Sequence, residues 1–270
     1  MHLGYRPVFK IFPHCKIVDN MPEIELSFTF LVAVAAFSSA VFHSFSGFAG
    51  GLVLAIMLAP LLGIKETVPV VATALIISNI ARIWAFRKSV SIREYLAVFL
   101  TALPFIVLSA YVYVSLSVGI VALVLGCFLM LSIPLNRVLK KKKIKVGLKG
   151  LALAGVPYGM VSGSTFGAAV ILAPFLIGAG LAGETMIGTI AILGFSLNVT
   201  KTIVFGLSPL LTQELFVTGV LVGLCTIPGA YIGRWLVRNT SVRLHSQFME
   251  VFIACGGLLF LYEAYRDLLI

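Results

Sequence analysis

Charge is what this sequence has least of. Asp, Glu, Lys and Arg make up 11% of its 270 residues and hydrophobic residues 60%, where soluble domains carry about 25% and about 45 to 50%. Ten acids and twenty bases cannot coat a water-soluble body of this size, so lipid must replace water around most of the chain. Cysteine is also sparse: Cys15, Cys127, Cys225 and Cys255 form no C-x-x-C pair, and three of them lie in apolar stretches. They read as small core residues, not as a redox or metal centre. His2, His14, His43 and His245 lack metal-ligand spacing. G-x-x-x-x-G-K-[ST], H-E-x-x-H and G-x-S-x-G are absent, which leaves nucleotide, zinc and serine hydrolysis without support. No enzyme activity and no cofactor are expected. Apart from one lysine run there is no low-complexity tract, so disorder and collagen-like repeats are excluded.

What is present is length without charge. Tyr95 to Asn136 holds no Asp, Glu, Lys or Arg and as helix would extend roughly 63 Å, enough for two crossings of a core about 30 Å thick. The same reading along the chain places ten apolar segments near 26–45, 48–63, 67–86, 94–114, 117–136, 147–163, 166–181, 184–206, 211–235 and 245–265. The second and seventh fall short of the roughly 20 residues a span requires. Each follows a polar, glycine-rich stretch, HSFSGFAGG at 43–51 and SGSTFG at 162–167. These two segments read as broken helices or re-entrant hairpins. The expected fold is an all-α integral membrane protein with eight to ten hydrophobic segments.

Bases mark the orientation. Thirteen of the 20 lie in three loops: Arg87, Lys88 and Arg93; Arg137, Lys140 to Lys143, Lys145 and Lys149; Arg234, Arg238 and Arg243. The positive-inside rule puts these loops in the cytoplasm. An even number of segments separates them, and both chain ends then fall outside. The net charge of +10 is thereby topological, and no basic face for nucleic acid is indicated. Residues 1–25 read as an amino-terminal extension with Met21 as an alternative start, since Arg6, Lys10 and Lys16 do not suit an outside location. Residues 26–136 and 150–270 form two transmembrane repeats joined by a basic loop at 137–149.

The repeats are visible in the sequence. NIARIWAF at 79–86 matches NVTKTIVF at 198–205, LAPLL at 58–62 matches LAPFL at 172–176, and Glu94, Ala110 and Tyr111 fall on Glu214, Ala230 and Tyr231. Each copy holds five segments, so the second enters the bilayer from the opposite side. The third segment ends at Arg87 and Lys88, whereas its counterpart ends at neutral Gly206, Leu207 and Ser208. Inverted repeats with interrupted segments at matching places are the signature of secondary transporters, whose site lies near the midplane. For a single glycine, close helix packing is the plainer reading.

Two cations stand inside apolar spans, Arg82 and Lys201, and such groups usually face a cavity or a partner. Snorkelling to the interface is the alternative. Asn79 and Asn198 lie one turn earlier on the same faces. Backbone donors are expected from Gly47, Gly50 and Gly51 in the first break and from Ser162, Gly163, Ser164, Thr165 and Gly167 in the second, where restarting helices add positive dipole ends. Thr189 offers a further hydroxyl. Donors without carboxylates suit a small anion. Glu94 and Glu214 read as interfacial anchors, and His43 as a titratable group or a packed one.

The order of a glycine-rich break, an apolar run to Pro60 and TALIISN, then GMVSGSTFGAAVILAPFLIGAG and GTIAILGFSLN, resembles the sulfite exporter TauE/SafE family of membrane permeases. The closing GLCTIPGAYIGRWLVRN is similar to that family's end. The first copy lacks the compact triple glycine often seen there. The resemblance covers about residues 26–268 and implies export or import of sulfite, sulfonates or related small organic anions; the expected location is the cell inner membrane. The partners expected are that small anion and membrane lipid, with a homo-oligomer left open. The rival classes are a scaffold or assembly protein whose lysine run binds anionic lipid, and a passive anion channel.

Overall fold

The structure is a computed structural model that describes residues 32–41, 43, 50–141, 145–239 and 242–269. Among them all regular structure is helical. Ten α-helices follow in order: α1 (Val32–Val41), α2 (Gly50–Leu62), α3 (Ile64–Ala85), α4 (Ile92–Ser115), α5 (Val118–Lys141), α6 (Leu148–Ser162), α7 (Ala169–Gly178), α8 (Gly183–Gly206), α9 (Gln213–Asn239) and α10 (Val242–Leu269). Within these residues, α3, α4, α8 and Gln213–Gly233 of α9 are long and apolar enough to cross a membrane. The short segments expected at 48–63 and 166–181 are helices of 13 and 10 residues.

Boundaries move where basic residues follow an apolar run. Helix α5 continues to Lys141, into the stretch read from sequence as loop 137–149. Arg, Leu and Lys are good helix formers, and bases in a last turn complement the negative end of the helix dipole. For the same reason α9 runs past Arg234 to Asn239. The break between α2 and α3 is made by Gly63, whose φ of 92° no ordinary side chain adopts readily. Its amide closes the end of α2 on the Ala59 carbonyl at 3.0 Å, and its own carbonyl accepts the Thr67 amide at 3.1 Å as α3 begins.

Glycines set the closest helix approaches. Gly155, Gly159 and Gly163 on one side of α6 lie against α4, where an added Cβ would meet the carbonyls of Val98, Ala102 and Ile106. Small residues four apart allow this backbone contact. Thr101 Oγ1 reinforces it by donating to the Ala152 carbonyl at 2.7 Å, as does Ser109 Oγ to that of Gly159 at 3.1 Å. On α9, Gly219 and Gly223 lie in the same way against the Val70 and Ala74 carbonyls of α3. Helix α3 also packs on α8 and α2, α4 on α8, α5 on α10 and α7, and α2 on α10. Gly229 of α9 meets Phe37, Ala40 and Val41 of α1.

The outer surface is apolar. Leu100, Tyr111, Leu153, Ile203 and Leu221 are exposed, while Arg82 and Lys201 are among the largest side chains fully buried inside. That arrangement inverts a soluble protein's and fits a lipid solvent.

Candidate functional site

Helices α3 and α8 meet through an Asn-x-x-base pattern on each. A three-residue step keeps side chains on one helix face, so Asn79 lies beside Arg82, and Asn198 beside Lys201. All four are buried, both cations at 1% exposure, and all four line one cavity. The cavity gives about 50 Å³ to the centres of water-sized molecules, several times the roughly 10 to 15 Å³ that one water needs. Its remaining walls come from the restart of α2 at Gly51, from His43, from the end of α6 at Tyr158 and Ser162, and from the turn and restart of α7 at Thr165 to Ala169.

Each cation is positioned by a local bond. Arg82 donates through Nη1 to Asn79 Oδ1 at 3.0 Å. Lys201 Nζ donates to the Thr165 carbonyl at 3.0 Å and lies 4.2 Å from the centre of the Phe166 ring, within cation-π range. Asn198 Nδ2 donates to the Gly194 carbonyl at 2.6 Å. Snorkelling therefore describes neither cation, since both turn inward and are held there. The described lining residues include no Asp or Glu. The restart of α7 at Ala169 sits at the cavity wall, adding the positive end of a helix dipole.

The six-residue bend between α6 and α7 depends on Gly167. Its φ is 75°, and a Cβ there would run into Leu52. Thr165 Oγ1 closes the end of α6 by donating to the Val161 carbonyl at 2.8 Å.

The sequence-nominated residues divide by position. Arg82, Lys201, Asn79, Asn198, Gly51, Ser162, Thr165 and Gly167 line the cavity. Gly50 lies behind it, where an added Cβ would collide with the His43 ring. Gly163 faces α4, and Ser164 Oγ donates back to the Val161 carbonyl at 3.4 Å; neither lines the cavity. Gly47 lies outside the described residues. Thr189 accepts the Ser91 amide at 3.0 Å and donates to the Thr185 carbonyl at 2.7 Å, so its hydroxyl braces the connection between α3 and α4. Glu94 bonds Ser91 at the start of α4, and Glu214 sits in the first turn of α9.

Sequence reasoning did not select Tyr158, Phe166, Gly194 or Leu75, all of which line the cavity. Gly194 sits one turn before Asn198 as Leu75 does before Asn79, so the repeat register was the signal that could have found both. Glycine there lets α8 approach α3: an added Cβ would sit 3.0 Å from Asn79 Nδ2.

Over residues 31–260 the sequence matches the family described as Sulfite exporter TauE/SafE. That span is most of the chain. The chain belongs to the sulfite exporter TauE/SafE family. It is a membrane protein of a transporter family associated with sulfur anions, as the resemblance of its motifs implied. Neither the curated proteins nor the solved structures provide a match. In this TauE/SafE chain the matched span contains all of the cavity walls just described.

Proposed function

We propose that this chain is a secondary transporter that carries a small sulfur oxyanion, an organosulfonate or a related carboxylate across the inner membrane by alternating access. The observation that carries the reading is the convergence of Arg82 and Lys201, with their companion amides, on one buried cavity whose described lining has no carboxylate. Two cations converging on one cavity, beside the restart of α7, favour an anion there. Lys201 and Arg82 hold the anion's charge, Asn79 and Asn198 orient it, and Gly51 and the turn at 165–169 bring backbone donors. Membership of the TauE/SafE family supports sulfur oxyanions as the first class to test.

The two halves, 26–136 and 150–270, are inverted repeats in this reading. Exchanging α1 to α5 with α6 to α10 supports it. The exchange carries the α3–α9 packing onto α8–α4, α2–α3 onto α7–α8 and α5–α7 onto α10–α2, and leaves α3–α8 and α5–α10 in place. The glycine seams follow the same exchange in that α6 lies on α4 as α9 lies on α1, through Gly155 and Gly159 of α6 at one seam and Gly229 of α9 at the other. The cavity sits where the halves meet, with the α3 side chains from one and the α8 side chains from the other. Rocking of one half against the other would then open the cavity to alternate sides.

Thermal melting of the purified chain over a panel of small anions tests the site. Sulfite or a short sulfonate at millimolar concentration raises the melting temperature and chloride at equal ionic strength does not. Equal responses to all anions would remove the cavity as a specific site.

A further inference from the structure

The proposed anion reading accounts for the donors in the cavity but leaves an acceptor over. Asn198 is buried at 4% exposure and lines the cavity. The orientation of its amide is fixed by chemistry: the Gly194 carbonyl only accepts, so the group 2.6 Å from it must be the NH2. That leaves Oδ1 as a buried acceptor, and among the described residues it has no hydrogen-bond partner. A buried polar atom left this way is destabilising and calls for an explanation. Among the described residues Thr202 Oγ1 is also unpartnered but does not line the cavity, whereas His43 Nδ1 and Ser162 Oγ are unpartnered and do line it; a hydroxyl and an imidazole nitrogen can each present a hydrogen to the anion, which a carboxamide oxygen cannot. Among the cavity walls, the neighbouring carbonyl of Thr165 is already occupied by Lys201.

A bare oxyanion has only acceptors and cannot satisfy Asn198 Oδ1. Resting on the transport reading above, we infer that Asn198 is a specificity-determining residue, and that the anion it selects carries one hydrogen-bond donor beside its charged oxygens. The anionic oxygens face Arg82, Lys201 and the restart of α7, while the donor faces Asn198 Oδ1. A hydroxy- or amino-bearing sulfonate and a singly protonated oxyanion share that chemistry. Sites that hydrogen-bond a substrate OH or NH discriminate strongly against analogues that lack it, because the site's own polar atom is then left buried and unpaired.

The test measures binding to the purified full-length chain by thermal stabilisation against ligand concentration, with two matched pairs. The first is 2-hydroxyethanesulfonate against propane-1-sulfonate, in which a methyl replaces the hydroxyl. The second is sulfite, which is partly protonated near neutral pH, against sulfate, which is not. The donor-bearing member of at least one pair binds about tenfold or more tightly to the wild type, and the pair that discriminates identifies where the donor sits. In Asn198→Leu, and in Asn198→Ser should the leucine variant misfold, the preference within the discriminating pair falls to within about twofold. Equal binding within both pairs in the wild type overturns the role of Asn198 and leaves the anion site standing. A preference that survives in the variants also overturns it. Failure of all four anions to bind a folded wild-type chain overturns the anion site and this inference with it.

Discussion

Replacing Lys201 by Met separates a binding lysine from a structural one by the sign of two effects. The side chain is 1% exposed, donates to the Thr165 carbonyl at 3.0 Å and lies 4.2 Å from the Phe166 ring centre. One carbonyl and one ring are a thin replacement for the water an ammonium gives up on burial, a loss of several kcal/mol even after relaxation. Methionine fills much of the same volume without charge. Replacing buried charge by a packed apolar group is neutral or stabilising by about 1 to 4 kcal/mol, so the empty Lys201→Met protein melts at or above the wild-type temperature. The anion loses a charge-assisted hydrogen bond of about 1.5 to 3 kcal/mol, which weakens binding roughly 10- to 150-fold. Both numbers come from one melting series, with and without sulfite or a short sulfonate. A variant that melts well below the wild type yet binds anion equally would refute the reasoning and make Lys201 a structural prop for the 163–168 turn.

Four further outcomes follow from named contacts. Arg82→Lys loses the planar fork that reaches Asn79 Oδ1 and, because guanidinium and ammonium are not equivalent in a buried site, binds anion about tenfold more weakly; unchanged affinity in the same melting assay contradicts this. Gly167→Ala must hold φ at 75° and push Leu52 aside, so it destabilises by at least about 1 to 3 kcal/mol, visible as a lower melting temperature. Gly159→Val forces α6 off the Ala102 carbonyl of α4 and lowers the yield of folded protein, whereas Gly206→Ala meets nothing within 4 Å and stays within about 0.5 kcal/mol of the wild type; equal behaviour of the pair would show that the α4–α6 seam is not tight. With the native cysteines removed, Lys88→Cys is labelled by impermeant reagent from the cytoplasmic side and Leu207→Cys, 85% exposed, from the opposite side; labelling of both from one side contradicts inversion of the repeats.

Much of the architecture was legible because hydrophobic runs bounded by bases are read directly by a bilayer. Each of the ten expected segments overlaps a helix among the described residues, and the short α7 follows the turn at 163–168. Helix ends were legible only to within several residues, since Arg137 to Lys141 can end a span or prolong it, and the sequence carries no stop such as the Gly63 turn there. In the candidate site, the Asn-x-x-base spacing shared by 79–82 and 198–201 brought out Asn79, Arg82, Asn198 and Lys201 together. Gly163 and Ser164 could not be told from Thr165 and Gly167 in advance: outside a regular helix no period says which residue of SGSTFG faces inward. Tyr158 was hidden for another reason. It looks like any aromatic in an apolar run, and only the packing of α6 shows that the face carrying Tyr158 and Ser162 lines the cavity.

Uptake of labelled sulfite or short sulfonate into proteoliposomes, preloaded with the same unlabelled anion or left empty, tests the central claim most directly. The account predicts saturable uptake that preloading accelerates and that the Arg82→Met, Lys201→Met double variant loses while remaining folded in the membrane. Uptake that rises linearly with concentration and ignores preloading would describe a channel, and equal uptake by wild type and double variant would contradict a site built on these two cations.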